Sequence, residues 1–153
     1  MEESVGMMEN NCALHEFFVE GFSLQKQDAR MYSPLTLAYI GDGIYDIVIR
    51  TIVLSKGNAP VNKLHKESSS YVKAQAQMQM YYAVEDMLTE EEIGIFKRGR
   101  NAKSYTSAKN ATITEYRNAT GFEALMGYLY LSDRMNRVVE LVKIGMERLS
   151  EKK

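Results

Sequence analysis

Apolar residues in this chain recur every three to four positions over long stretches and nowhere alternate for the length of a strand, so the pattern predicts helices throughout. Ser33 and Pro34 make a start signal: a hydroxyl N-cap, then a proline tolerated in the first turn. Leu37, Ile40, Ile44, Ile47, Val48 and Thr51 follow at helical spacing up to Leu54, and Lys56-Gly57 is the stop. So apolar a helix is expected to be mostly buried. After Pro60 a second helix is expected over 62–86, with Leu64, Val72, Met78 and Tyr82 towards the core and Lys66, Ser69, Lys73 and Gln77 towards water.

Thr89-Glu90-Glu91-Glu92 has the form of a capping box and opens a short helix that fades near Arg100. The small, polar run 101–111 reads as an exposed loop. Thr114 and Glu115 open a further helix through Leu131. Asp133 is expected to cap the last one, in which Val138, Leu141, Val142, Met146 and Leu149 form a stripe. Residues 1–30 carry only the apolar piece Leu14–Val19 and are expected to be a partly ordered extension, with 31–153 as a single domain. The fold class is all-α, a helical bundle around one core.

Composition narrows the partners. The formal net charge of −1 provides no global positive field, so nucleic-acid binding has to rest on local clustering. A single cysteine, Cys12, cannot close a disulfide within the chain and suits a reducing compartment. No run approaches the roughly 18 to 20 apolar residues that span a bilayer, and the acidic start MEESVGMMENN is unlike a signal peptide. A cytoplasmic protein with no membrane partner is expected.

Two acids stand out against apolar surroundings. Asp42 lies in Ala-Tyr-Ile-Gly-Asp-Gly-Ile-Tyr-Asp-Ile-Val-Ile, and glycines on both sides of it each cost a helix about 1 kcal/mol relative to alanine. They let another helix, an ion or a phosphate backbone approach the carboxylate. Glu123 is the only charge in Ala119–Leu131 and also sits among small residues. A buried carboxylate without a partner is costly, so two of them in separate apolar helices suggest a shared cation, with a hydrogen-bonded buried acid as the plainer reading of each. Oxygen ligands point to magnesium or manganese, and two histidines with one cysteine make a zinc site improbable. Asp46, one turn after Asp42, has Arg50 as an ion-pair partner one turn further on; the other reading is that it holds a water near the ion.

Charge does cluster locally. Lys97–Asn110 holds five cations, Lys97, Arg98, Arg100, Lys103 and Lys109, with no acid among them. Interspersed with Ser, Thr and Asn donors, they suit phosphate contacts, although a solvated loop would look the same. A smaller set, Lys63-Leu64-His65-Lys66-Glu67 with three serines, could meet phosphate or ribose, or simply water.

Four segments in order resemble the Mini-III subgroup of the ribonuclease III family: Leu-Ala-Tyr-Ile-Gly-Asp ending at Asp42, Leu-His-Lys-Glu-Ser-Ser from Leu64, Lys-Arg-Gly-Arg-Asn-Ala-Lys from Lys97, and Tyr116-Arg117 leading into Phe122-Glu123-Ala124-Leu125. The similarity covers roughly 33–145. It implies an all-α endonuclease domain working as a homodimer on double-stranded RNA, with Asp42 and Glu123 as catalytic, metal-holding residues for Mg²⁺, for which Mn²⁺ is expected to substitute. It also implies RNA contacts from His65, Lys66, Arg98, Arg100, Lys103 and Lys109, products with 5′-phosphate ends, and maturation of the large-subunit ribosomal RNA precursor. No separate RNA-binding domain is expected within these residues. Most of the family carries further acids where this chain has Ala38 and Thr120. That departure motivates the competing reading, a non-catalytic protein that binds structured RNA or assists ribosome assembly.

Overall fold

The computed structural model describes residues 14–103 and 111–152. Among them are seven α-helices: α1 (Leu14–Gly21), α2 (Pro34–Leu54), α3 (Val61–Val72), α4 (Ala74–Val84), α5 (Glu90–Asn101), α6 (Ile113–Leu131) and α7 (Met135–Glu151). Short 3-10 turns lie at Ala29–Met31 and Glu85–Met87, and no strand occurs among the described residues. The all-α expectation holds. Cys12, Lys109 and most of the loop expected over 101–111 lie outside the described residues.

Helix α6 is the hub, with α2, α5 and α4 packed along it and α7 closing over α4. Its sequence explains that position: nearly every residue from Asn118 to Tyr130 is buried, and a helix apolar all round has to be surrounded. Both of its ends are signposted. Thr112 and Glu115 form a reciprocal capping box at the start, two residues earlier than the Thr114 opening expected from the pattern.

At the far end Asp133 does not cap α7, as expected, but completes α6. It adopts φ +60, its N–H reaches the Tyr130 carbonyl, and the Arg134 N–H reaches that of Leu129, the two bonds of a Schellman turn. Aspartate tolerates the left-handed conformation better than most side chains. Its carboxylate takes Lys26, which also reaches Glu16, and lies 3.3 Å from His15 Nδ1, so α1 and the segment after it are tied onto the bundle.

Helix α2 starts as its Ser33-Pro34 signal requires, with the Ser33 hydroxyl accepting from the Thr36 N–H. It is less buried than expected. Leu37, Ala38, Gly41, Ile44, Tyr45, Ile49 and Val53 face the core, while Ile47 is 53% exposed, Tyr39 81% exposed and Thr51 is on the surface.

The expected helix over 62–86 is two helices. Lys73 is extended (φ −63, ψ 154), ending α3 and starting α4. Neither Gly nor Pro marks this break; side chains hold it by taking the carbonyls it frees. Gln77 Nε2 donates to the Val72 carbonyl at 2.8 Å and the Tyr45 hydroxyl to that of Tyr71 at 3.3 Å. The break re-phases the following face. Tyr82, expected in the core, is 54% exposed, and Gln77, expected in water, is only 3% exposed.

Candidate active site

Asp42 and Glu123 come together because α2 and α6 cross backbone to backbone. A methyl group on Gly41 would lie 1.7 Å from the Glu123 carbonyl oxygen and 2.7 Å from the Gly127 nitrogen; one on Gly127 would lie 2.0 Å from the Leu37 carbonyl oxygen. Neither position can carry a side chain unless the helices separate. Asp42, the residue after Gly41, thereby reaches the Glu123 side chain closely enough for the two carboxyls to share a hydrogen bond. Gly43, the other flanking glycine, faces open space, so close helix approach accounts for Gly41 only. The expectation of two buried acids also needs correction: Glu123 is half-buried, whereas Asp42 is exposed at the rim.

Burial, and then the neighbouring Asp42, push the Glu123 carboxyl up to about 8, with a hydrogen bond from Gln77 Nε2 at 3.3 Å working the other way. Near neutral pH the pair therefore retains a proton that two isolated carboxylates would both have released. A cation binding here would displace that proton. Beside the pair, Gln77 Oε1 is buried and has no hydrogen-bond partner, an arrangement that costs roughly 1–3 kcal/mol unless a donor arrives. All these donors are oxygens, which suits a hard cation such as Mg²⁺ or Mn²⁺. No group of three or more His, Cys, Asp or Glu is arranged to hold a metal ion among the described residues, so an ion held by this pair would rely on water for most of its shell. The positions of the missing acids offer no substitute: Ala38 is buried, and the Thr120 hydroxyl is turned back onto the Tyr116 carbonyl at 3.0 Å. Asp46 pairs with Arg50 at 2.9 Å, the first of its two readings.

A family model described as the ribonuclease III domain matches residues 35–134, from the start of α2 to the turn after α6, a stretch that holds both carboxylates. This chain belongs to the ribonuclease III family. It is 50% identical over 139 residues to a protein named Mini-ribonuclease 3 from Clostridium tetani (strain Massachusetts / E88), covering 90% of this chain and 91% of that one. A Mini-ribonuclease 3 from Enterococcus faecalis (strain ATCC 700802 / V583) is 47% identical over 127 residues, covering 82% and 96%. A crystal structure of a protein from Fusobacterium nucleatum matches the fold with a TM-score of 0.71 at 32% identity, covering 80% of this chain and 98% of that one. The resemblance to Mini-III proteins and the fold it implied are thus both found, and the activity class is that of a ribonuclease III-type endoribonuclease.

In this ribonuclease III domain Arg98 and Arg100 lie on α5, Lys103 just after it, and His65 and Lys66 on α3. Gly99 of α5 packs on α6 at residues on either side of Glu123: a methyl group there would lie 2.8 Å from Ala124 Cβ and 3.0 Å from Gly121 Cα. Arg98 and Arg100 flank that contact. Arg98 and Lys103 are exposed, and Arg100 lies over the Phe96 ring at 5.7 Å, its Nε donating to Asn101 Oδ1 at 3.1 Å. His65 and Lys66 are exposed on α3, where His65 borders a cleft with Arg50, Leu54 and Val61 that includes neither carboxylate. The residue that the sequence pattern misplaced is Gln77. The helical pattern sets it towards water with Lys66, Ser69 and Lys73, and nothing in Gln75-Ala76-Gln77-Met78-Gln79 distinguishes it.

Proposed function

We propose that this ribonuclease III domain is a Mg²⁺-dependent endoribonuclease that cuts double-stranded RNA, with Asp42 and Glu123 holding the ion and Mn²⁺ able to replace it. The observation that carries the reading is the carboxyl pair itself: two acids from distant helices, brought side by side at a glycine crossing, with Glu123 pushed up to about 8. Such a pair is poorly stable by itself and is relieved by a cation. When bound, Mg²⁺ supplies charge stabilisation at the phosphate and makes a water nucleophilic at neutral pH. The chain's own part is to orient: Asp42 from the rim, Glu123 from the half-buried side, and Gln77 from beneath Glu123. Hydrolysis breaks the bond between phosphorus and the 3′ oxygen, leaving a 5′-phosphate and a 3′-hydroxyl.

The duplex would be read by shape and by phosphate and 2′-hydroxyl contacts, because the deep major groove of A-form RNA excludes side chains. Arg98, Arg100 and Lys103, with Lys109, and His65 with Lys66 are the residues we assign to it. We propose a homodimer whose two sites cut the two strands with a short stagger. Supporting this, α2 exposes Leu35, Tyr39 and Ile47, large apolar groups that a second copy would cover. No described helix is long and apolar enough to cross a membrane. The cellular role we propose, on the Mini-III resemblance, is maturation of the large-subunit ribosomal RNA precursor in the cytoplasm.

The second reading, a structured-RNA-binding or ribosome-assembly protein without activity, draws on Ala38 and Thr120, which leave the site with two acids. A uniform RNA duplex incubated with and without Mg²⁺, with product ends mapped, separates the two. Mg²⁺-dependent products bearing 5′-phosphates are expected; tight binding without cleavage favours the second reading.

A further inference from the structure

We infer that Gln77 is a positioning residue of the metal site: it fixes the Glu123 carboxylate and offers its remaining oxygen to a water carried by an ion bound at Asp42 and Glu123. This rests on the metal-dependent reading proposed above. The geometry begins at the break after Val72. There the extended Lys73 leaves the Val72 carbonyl without its helical partner, and Gln77 Nε2 takes it at 2.8 Å. The same nitrogen faces Glu123 Oε2 at 3.3 Å. One amide nitrogen has two hydrogens, so both are committed. The orientation is also fixed by chemistry, since turning the amide over would set its oxygen against the Val72 carbonyl, which has no hydrogen to give, and leave that carbonyl unpaired.

That leaves Gln77 Oε1 buried and unpaired. The Val72 carbonyl and Glu123 account for the amide nitrogen, but no described residue accounts for the oxygen. The oxygen is joined through a single carbon to the nitrogen that faces Glu123 Oε2 at 3.3 Å. An ion with only two carboxylate ligands keeps several waters, and each of them donates hydrogens to whatever acceptors are near. Gln77 Oε1 supplies one such acceptor, and Nε2 holds Glu123 from turning away. Partners of this kind, which orient a ligand without touching the ion, typically change metal affinity or activity about 10–100-fold when removed.

The test is calorimetric titration of the full chain with Mn²⁺ for wild type, Glu123→Gln and Gln77→Met, alongside thermal melts and the Mg²⁺ dependence of duplex cleavage. Gln77→Met is expected to raise the Mn²⁺ Kd and the Mg²⁺ midpoint by about 10–100-fold, with kcat largely recovered at saturating Mg²⁺. A lowered melting temperature with unchanged Mn²⁺ Kd overturns the inference and leaves Gln77 as packing. If wild type binds no Mn²⁺, or binds it no better than Glu123→Gln does, the metal reading itself fails and takes this one with it. Should Gln77→Met not fold, the Gln77 side-chain amide resonances of the wild type decide: they are expected to shift with Mg²⁺ at the ion's own midpoint, and resonances that stay fixed overturn the proposal.

Discussion

Two glutamates on neighbouring helices are both withdrawn from water, and their surroundings differ in kind. Glu92 on α5 is 1% exposed, yet every donor it needs is present. Its oxygens accept from the Thr89 N–H at 2.9 Å and from Arg137 at 2.8 and 2.9 Å, and Arg137 is itself braced on the Met87 carbonyl. Burial opposes its charge, but Arg137 and Thr89 outweigh burial and hold the carboxyl below its usual value. Glu123 on α6 has burial and a second acid acting together, and only Gln77 against them. Buried charge alone therefore does not mark a site. What separates the two is whether the fold supplies a compensating cation, as Arg137 does for Glu92, or sets a second acid beside the first, as Asp42 does for Glu123.

The contrast should be sharpest in cleavage. Glu123→Gln and Asp42→Asn are expected to lower duplex cleavage by about 10³-fold or more, the scale of losing a group that stabilises transition-state charge. Glu92→Gln should leave the rate per folded molecule unchanged. Stability reverses the order: Arg137→Met strands Glu92 and is expected to cost about 3–5 kcal/mol in urea unfolding, because an uncompensated buried charge remains.

The glycine crossing comes next in size. Gly127→Ala forces a methyl group against the Leu37 carbonyl and is expected to cost roughly 1–3 kcal/mol or more, with activity falling as Asp42 and Glu123 separate. Gly43→Ala, which meets open space, is expected to stabilise α2 by up to about 1 kcal/mol.

The two acids should also respond to pH with opposite signs. Glu123, raised from an ordinary 4.5 to about 8, keeps a proton in the folded state that the unfolded chain has released, so its contribution to stability declines as pH rises from 4.5 through about 8. Melting temperatures of Glu123→Gln should lack that decline and exceed those of wild type by about a few degrees above pH 8. Glu92 contributes in full above its ordinary value and loses its contribution only as pH falls through its depressed one. The smallest effect on the site itself is expected from replacing Arg98, Arg100 and Lys103 together with serine. Duplex affinity should weaken and its salt dependence flatten by up to about three in slope, with metal binding unchanged.

Much of this was legible in the sequence because the signals were local. Ser33-Pro34 and Thr89–Glu92 announce helix starts that the structure reproduces, and Asp42 and Glu123 were conspicuous as acids in apolar runs. The rest depended on tertiary partners. The break at Lys73 has no Gly or Pro to reveal it and is held by the side chains of Gln77 and of Tyr45 on α2. Asp133 looked like a cap for the following helix because its carboxylate suits an N-cap, but its backbone closes the preceding one and its side chain goes to α1 and Lys26. Gln77 was invisible for the same reason: its role is set by a carbonyl freed at the break and a carboxylate on α6.

The central claim is that Asp42 and Glu123 share one ion that drives strand cleavage, and it is tested most directly by a Mg²⁺ titration of cleavage on an end-labelled RNA duplex with wild type, Asp42→Asn and Glu123→Gln. Wild type is expected to give saturable, Mg²⁺-dependent products, and both variants to remain folded and give almost none at any Mg²⁺ concentration. Cleavage by either variant at the wild-type rate, or wild-type cleavage that persists in excess chelator, would contradict it.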